Sequence, residues 1–328
     1  MLDLTFATWD HDRVMPLHKG QVKVPDVRLD STILPTSKLF PLAVSDAPYD
    51  VTEMSISSYV MQLSRGGSDY IALPAFISRA FRHSGFFARA GSGINSPADL
   101  EGRRIGVPEY QMTAALWMRG ILADEYGVDC TKVHWRTGAL EKGVRRERLD
   151  LNLPEGMVVE PINEGQSLVE LLLDGEIDGL LAPKAPTSFL NGDDRLVRLL
   201  RDFETAEQEY HEKTGFFPIM HVVGLRKTLA EEHPWLPAAL YEGLVESRDL
   251  AMSRLHDIWM GNANRLSLPW LGASMERTIK TLGDDYWSYG VSKNAAELDA
   301  VCRYSLEQHL AERRVSVDEM FHPAVMET

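Results

Sequence analysis

Cysteine is scarce: the 328 residues include only Cys130 and Cys302, far apart and in no metal-like spacing. That excludes a disulfide framework and a cysteine zinc site, and leaves two reduced, partly buried thiols. Basic residues are also outnumbered, with 34 Lys and Arg against 48 Asp and Glu and a formal net charge of -14. So acidic a chain lacks the positive face that nucleic acid or an anionic membrane requires, although a few local arginines can still hold an acidic small molecule. No apolar run reaches the length of a membrane span. The opening Met1-Leu2-Asp3-Leu4-Thr5-Phe6 reads as a core strand without the basic-then-apolar order of an export signal, so the expected location is the cytoplasm. Phosphate-cradling G-x-x-x-x-G-K-[ST], strand-linked G-x-G-x-x-G and helix-borne H-E-x-x-H patterns are missing as well, which disfavours ATP, nicotinamide cofactors and a paired-histidine zinc helix. What is present is ordinary for a globular chain, 44% apolar and 25% charged, and long enough for two lobes that each bury a core.

Apolar alternation predicts strands at residues 2–8, 22–34, 49–54, 70–80, 158–162 and 177–182, with an extended return at 215–225. Helical spacing appears at 35–44, 55–64, 166–174, 226–255, 273–282 and 295–313. Strands alternate with helices, so the fold class is α/β with mainly parallel pairing. In such sheets ligands gather at the C-terminal strand ends.

Residues 95–122 are the most informative stretch. A capped turn (Ser96-Pro97-Ala98-Asp99-Leu100) leads through Gly102-Arg103-Arg104 into a short strand (Ile105-Gly106-Val107), Pro108 and a long amphipathic helix. A strand that feeds a helix start leaves backbone N–H groups pointing outward, a favourable place for an anion. This passage resembles the crossover into the second lobe of type II periplasmic-binding-protein folds.

Further motifs narrow the resemblance. They are Glu53-Met54-Ser55 with Ser57-Ser58-Tyr59, Leu268-Pro269-Trp270-Leu271, the run Leu282-Gly283-Asp284-Asp285-Tyr286-Trp287-Ser288-Tyr289-Gly290, and Glu307-Gln308-His309-Leu310. Together they resemble the 4,5-dihydroxyphthalate decarboxylase family, an enzymatic branch of that fold. The resemblance implies a two-lobe α/β type II periplasmic-binding-protein-like architecture with a ligand cleft between the lobes. Lobe 1 is expected at residues 1–104 plus 222–328 and lobe 2 at 105–221. It further implies non-oxidative loss of CO2 from a hydroxylated aromatic diacid such as 4,5-dihydroxyphthalate, giving 3,4-dihydroxybenzoate. A ring phenol can supply the electron push, so no organic cofactor is required; a divalent metal stays open. The expected partner is a small aromatic carboxylic acid, and the C-terminal helices offer a possible homo-oligomer contact. The rival reading is a non-catalytic solute receptor for an aromatic or dicarboxylic acid. A maker of a vitamin-precursor pyrimidine ranks last, lacking any cysteine-rich or histidine-rich support.

Several strand ends carry candidate chemistry. Asp10-His11-Asp12-Arg13 follows the first strand: His11 can move a proton near neutral pH and Arg13 can hold a carboxylate, although four polar residues in a loop are more often only surface. Glu53 ends another strand as a candidate acid, base or metal ligand. Ser57 beside it is equally well a hydroxyl of a helix cap. Arg79, chosen ahead of Arg82 by position, is the anion binder of a third strand end. Tyr110, Gln111 and Thr113 open the second-lobe helix and offer N–H groups to a carboxylate, unless water and Glu109 already satisfy them. Lys184 follows the strand at 177–182 and is a candidate to face the cleft from the second lobe, although exposed loop lysines are common. His221 lies on an apolar strand, where a lone histidine is usually a satisfied core residue, but this strand should cross between lobes beside the cleft. His11, Glu53 and His221 are therefore the catalytic candidates. The charge-rich stretch from Cys130 to Pro154 reads as a lobe-surface hairpin, with the role of its charged part 141–150 left open.

Overall fold

The computed structural model describes residues 1–261 and 265–328. Eleven strands build two sheets: β1 (Leu2–Thr8), β2 (Val27–Ile33), β3 (Val51–Ser55), β4 (Tyr70–Arg79), β5 (Phe86–Arg89), β6 (Arg104–Val107), β7 (His134–Thr137), β8 (Val159–Pro161), β9 (Gly179–Leu181), β10 (Leu196–Arg198) and β11 (Ile219–Arg226). The first sheet has the order β2-β1-β3-β11-β4 and the second β10-β5-β9-β6-β7-β8.

The pairing is mixed, where the sequence predicts mainly parallel strands. β1 runs parallel to β2 and β3, and β6 parallel to β7 and β9. The two crossing strands are the exceptions: β5 is antiparallel to β9 and β10, and β11 is antiparallel to β3 and β4. Each enters its sheet from the other lobe rather than through a crossover within its own sheet. Sheet membership also moves the boundary. β5 already pairs inside the second sheet, so the chain crosses between Arg79 and Phe86 rather than at residue 104, and it returns by Ile219.

Both sheets are buried on two faces. Leu73, Ala75, Phe76 and Ile77 of β4 and Met220, Val222, Val223 and Leu225 of β11 have almost no exposed surface. The helix Thr113–Tyr126 buries Leu116, Trp117, Met118, Ile121 and Leu122, and packs on helix Ala295–Glu307. The sequence predicts a long amphipathic helix here, but buried residues run unbroken from Thr113 to Leu122, so the helix is enclosed rather than half-exposed. At its end Gly127 takes φ 66°, the left-handed cap that spares any other residue strain.

The stretch 141–150 is not a hairpin. It holds no regular structure and forms a strap between the lobes. Arg65 of the first lobe donates to the Asp150 carbonyl (2.8 Å), and Asn152 donates to Glu312 (2.7 Å). Arg145 and Arg148 both bond Glu109, with Arg148 at 2.8 Å; that carboxylate is almost fully buried. Buried charge of this kind is tolerated only when paired, and the pairing draws an otherwise solvent-loving sequence inward.

Candidate active site

Strand order assembles the site. β1, β3 and β11 are neighbours, and β1 delivers His11 just beyond its end. In the β3–β11 ladder His221 faces Ser55 and Val223 faces Glu53. His221 and Glu53 are thus diagonal neighbours on one face of the sheet.

Glu53 is fully buried and gathers three donors. His11 Nε2 and His221 Nδ1 both reach Oε1, at 2.9 and 2.6 Å, while the Trp9 backbone N–H donates to Oε2 at 2.7 Å. Burial alone would raise this carboxyl; the hydrogen bonds and charge of the two histidines outweigh it and hold it below the usual carboxylate range. An ionised carboxylate only accepts, so both imidazoles must point N–H at it. The tautomers follow. His11 keeps a lone pair on Nδ1, where Arg13 Nη2 approaches at 3.4 Å. His221 keeps its lone pair on Nε2, which has no hydrogen-bond partner among the described residues. Burial lowers the His221 pKa despite Glu53, which favours the neutral ring near pH 7.

Aromatic rings frame the cluster. Phe40 meets His221 edge-on with centroids 4.7 Å apart, and the Arg148 guanidinium lies over the Phe40 ring, 5.3 Å from its centroid. Arg13 stacks 3.8 Å above Trp287, bonds Asp12 at 2.6 Å and donates to the Ile77 carbonyl at 2.8 Å. The ligand atoms of His11, Glu53 and His221 lie within 4.8 Å of one another, near enough to share a divalent ion. Such an ion would have to replace both imidazole protons now directed at one oxygen.

The chain resembles known proteins along its whole length. It matches the family model described as NMT1/THI5 like over residues 71–143. It is 42% identical over 327 residues to the 4,5-dihydroxyphthalate decarboxylase of Comamonas testosteroni, a match that covers 100% of this chain and 98% of that protein. The chain belongs to the 4,5-dihydroxyphthalate decarboxylase family. Its likeness to the Pseudomonas putida protein of the same name is 37% over 215 residues, 66% of this chain and 83% of that one. Among solved structures, the periplasmic aliphatic sulphonate binding protein SsuA of Escherichia coli superposes with a TM-score of 0.53 at 10% identity, covering 100% of this chain and 94% of that one. That likeness shows the periplasmic-binding-protein fold expected of the family.

Other predicted residues sit elsewhere than expected. Arg79 is consumed by the protein: it donates to the carbonyls of Phe217 (2.8 Å) and Ser288 (2.9 Å), to Glu297 (3.0 Å) and to Asn294, leaving little for a ligand. It ties the first crossing to the C-terminal helix. Tyr110 turns its hydroxyl inward to the Gln308 carbonyl (3.2 Å). Ser57 and Thr113 are buried and meet each other, Ser57 N–H donating to Thr113 Oγ1 at 3.3 Å, while Thr113 also bonds Ser55 at 2.9 Å. Lys184 is exposed and carries no hydrogen bond or ion pair among the described residues. Trp9, Phe40 and Trp287 join the site unannounced; only Trp287, inside a family motif, left a signal in the sequence.

The anion place at the second-lobe helix start is already taken. Glu147 of the strap accepts from the N–H groups of Tyr110 (2.5 Å) and Gln111 (3.2 Å), and the Gln111 amide donates to the Leu149 carbonyl (2.9 Å). Burial raises the Glu147 carboxyl in spite of those bonds. Glu147→Ala is expected to orphan two N–H groups at a cost of about 1–3 kcal/mol. Trypsin cleavage after Arg145 or Arg146 should accelerate in that variant; an unchanged cleavage rate and melting temperature would show that the strap is held by its arginines alone.

Proposed function

We propose that this protein decarboxylates 4,5-dihydroxyphthalate or a close hydroxylated aromatic diacid without oxidation, yielding 3,4-dihydroxybenzoate and CO2. The observation that carries this reading is the His11–Glu53–His221 cluster, in a chain 42% identical along its length to a protein of that name. His221 Nε2 is an unengaged, neutral base. It accepts the proton of the ring hydroxyl para to the departing carboxylate, and that phenolate pushes electrons toward the carbon that loses CO2. Glu53 stabilises the imidazolium that forms and fixes its tautomer. His11, bonded at both nitrogens, positions Glu53 from the opposite side. A solvent-derived proton then adds to that ring carbon, the C–C bond to the carboxylate breaks with its electron pair returning to the ring as CO2 departs, and the imidazolium hands its proton back to the phenolate, so that one proton is consumed overall. Closure of the two lobes over the substrate would exclude water and strengthen these charge interactions. We place the protein in the cytoplasm, where the free thiols of Cys130 and Cys302 stay reduced; no helix of the described residues is long and apolar enough to cross a membrane.

The test is to incubate purified protein with 4,5-dihydroxyphthalate and follow CO2 and 3,4-dihydroxybenzoate, with and without a chelator. Stoichiometric formation of both supports the reading, and turnover that survives the chelator supports chemistry on the protein's own groups. Tight binding without product would instead make it a receptor.

A further inference from the structure

Arg82 is a guanidinium with no carboxylate within ion-pair distance among the described residues. It lies in the first crossing between the lobes, and its Nε donates only to the Met220 sulfur (3.2 Å) and its Nη1 to the Pro183 carbonyl (3.3 Å). A thioether is a weak acceptor, and the carbonyl bond is long. Among the described residues Arg82 forms no ion pair. Its neighbours differ: Arg79 is saturated, Arg13 holds Asp12 at 2.6 Å and Arg148 holds Glu109 at 2.8 Å. The acid whose charge acts on Arg82 is Glu207, and burial pushes that carboxyl up to about 7, so it is a poor counter-charge at neutral pH. A partly buried cation left this open has a strong affinity for an incoming carboxylate.

Its placement specifies which carboxylate. Met220 precedes His221 on β11, Pro183 follows β9 in the second lobe, and the Arg82 charge is felt at the His221 ring. On a 4,5-dihydroxyphthalate ring the departing carboxylate is para to the hydroxyl that gives up its proton, the farthest position available. The other carboxylate is meta to that hydroxyl, on the nearer side. A guanidinium clamped on the departing group would also oppose its conversion to neutral CO2, since it would stabilise the ground state more than the transition state. We propose that Arg82 binds the carboxylate that stays on the aromatic ring, bridging the two lobes as it does so. The assignment rests on the decarboxylase reading above and adds the residue that orients the diacid in it.

Calorimetric titration of wild type, Arg82→Met and Arg82→Lys with phthalate, benzoate and catechol tests this, alongside the inhibition constant of 3,4-dihydroxybenzoate. Phthalate and benzoate should bind Arg82→Met about 100-fold more weakly, with catechol unchanged and Arg82→Lys intermediate. The inhibition constant of 3,4-dihydroxybenzoate, which retains the carboxylate in question, should rise by the same factor. The proposal is overturned if phthalate affinity stays within threefold of wild type, or if catechol weakens equally, which would mark general disruption. It is also overturned if the diacid weakens while 3,4-dihydroxybenzoate does not, which would place Arg82 on the departing group. Wild-type turnover with an indifferent Arg82→Met sinks this assignment alone; a wild type that neither binds phthalate nor releases CO2 sinks the decarboxylase reading with it.

Discussion

His221→Ala is expected to lower kcat for CO2 release by about 10²–10⁴-fold, the usual contribution of a positioned general base, while phthalate affinity stays close to wild type. The separation follows from geometry. The unengaged nitrogen of His221 is Nε2, and it moves a proton; it does not carry a binding charge, because burial favours the neutral ring. The pH profile gives a second readout. A base must be deprotonated to act, and the His221 pKa lies below the ordinary value near 6.5. The acid limb of kcat/KM should therefore fall below pH 6.5, with activity retained through neutral pH, and that limb should vanish in the variant. Added imidazole should restore part of the lost rate. His11→Ala should be milder, because His11 Nε2 is spent on Glu53 and its Nδ1 faces Arg13. An equal loss in both variants, with no change in the acid limb, would mean that the histidines serve the fold or a metal rather than proton transfer.

Much of the architecture was readable in the sequence because it is locally encoded. β1, β4 and the helix Ile56–Ser64 announce themselves by period, and the turn at Pro97–Leu100 by its capping box of Ser96 and Asp99. β5 was not legible: four residues, Phe86–Arg89, are too few to show a period. The strap escaped for a different reason. Its charges look solvated until Glu109, far back in the chain, is seen to pair with Arg145 and Arg148. The site divides along the same line. Sequence offers His11, Glu53 and His221 as separate candidates, but their meeting at one oxygen follows from the order β1-β3-β11, which no local pattern contains. Arg79 and Arg82 are only three residues apart, and position in the sequence favours Arg79 as the anion binder. What distinguishes them is Glu297, 218 positions from Arg79, which neutralises one and leaves the other open.

Glu53→Gln should be the most damaging conservative change in the molecule. Three N–H donors converge on two carboxylate oxygens, and an amide offers only one acceptor. If the amide oxygen serves the histidines, its NH2 faces the Trp9 N–H; if it serves Trp9, both imidazoles lose their acceptor and are free to adopt the other tautomer. Breaking a buried charged network in this way costs about 3–5 kcal/mol, and His221 loses the group that stabilises its charged form, so kcat should fall together with stability. The pH dependence carries the sign of the interaction. The Glu53 carboxyl is held below its ordinary value by the histidine hydrogen bonds, so folding favours its ionised form. That contribution is complete above the unfolded carboxylate pKa of about 4.3, and it fades as pH falls toward the folded value. Urea unfolding should show wild type well ahead of Glu53→Gln at pH 7, with the gap narrowing below about pH 4, while variants of exposed acids show no such convergence. A gap that is absent at pH 7, or that widens on acidification, would mean that Glu53 is held as a neutral acid, and the assignment of His221 as base would fall with it.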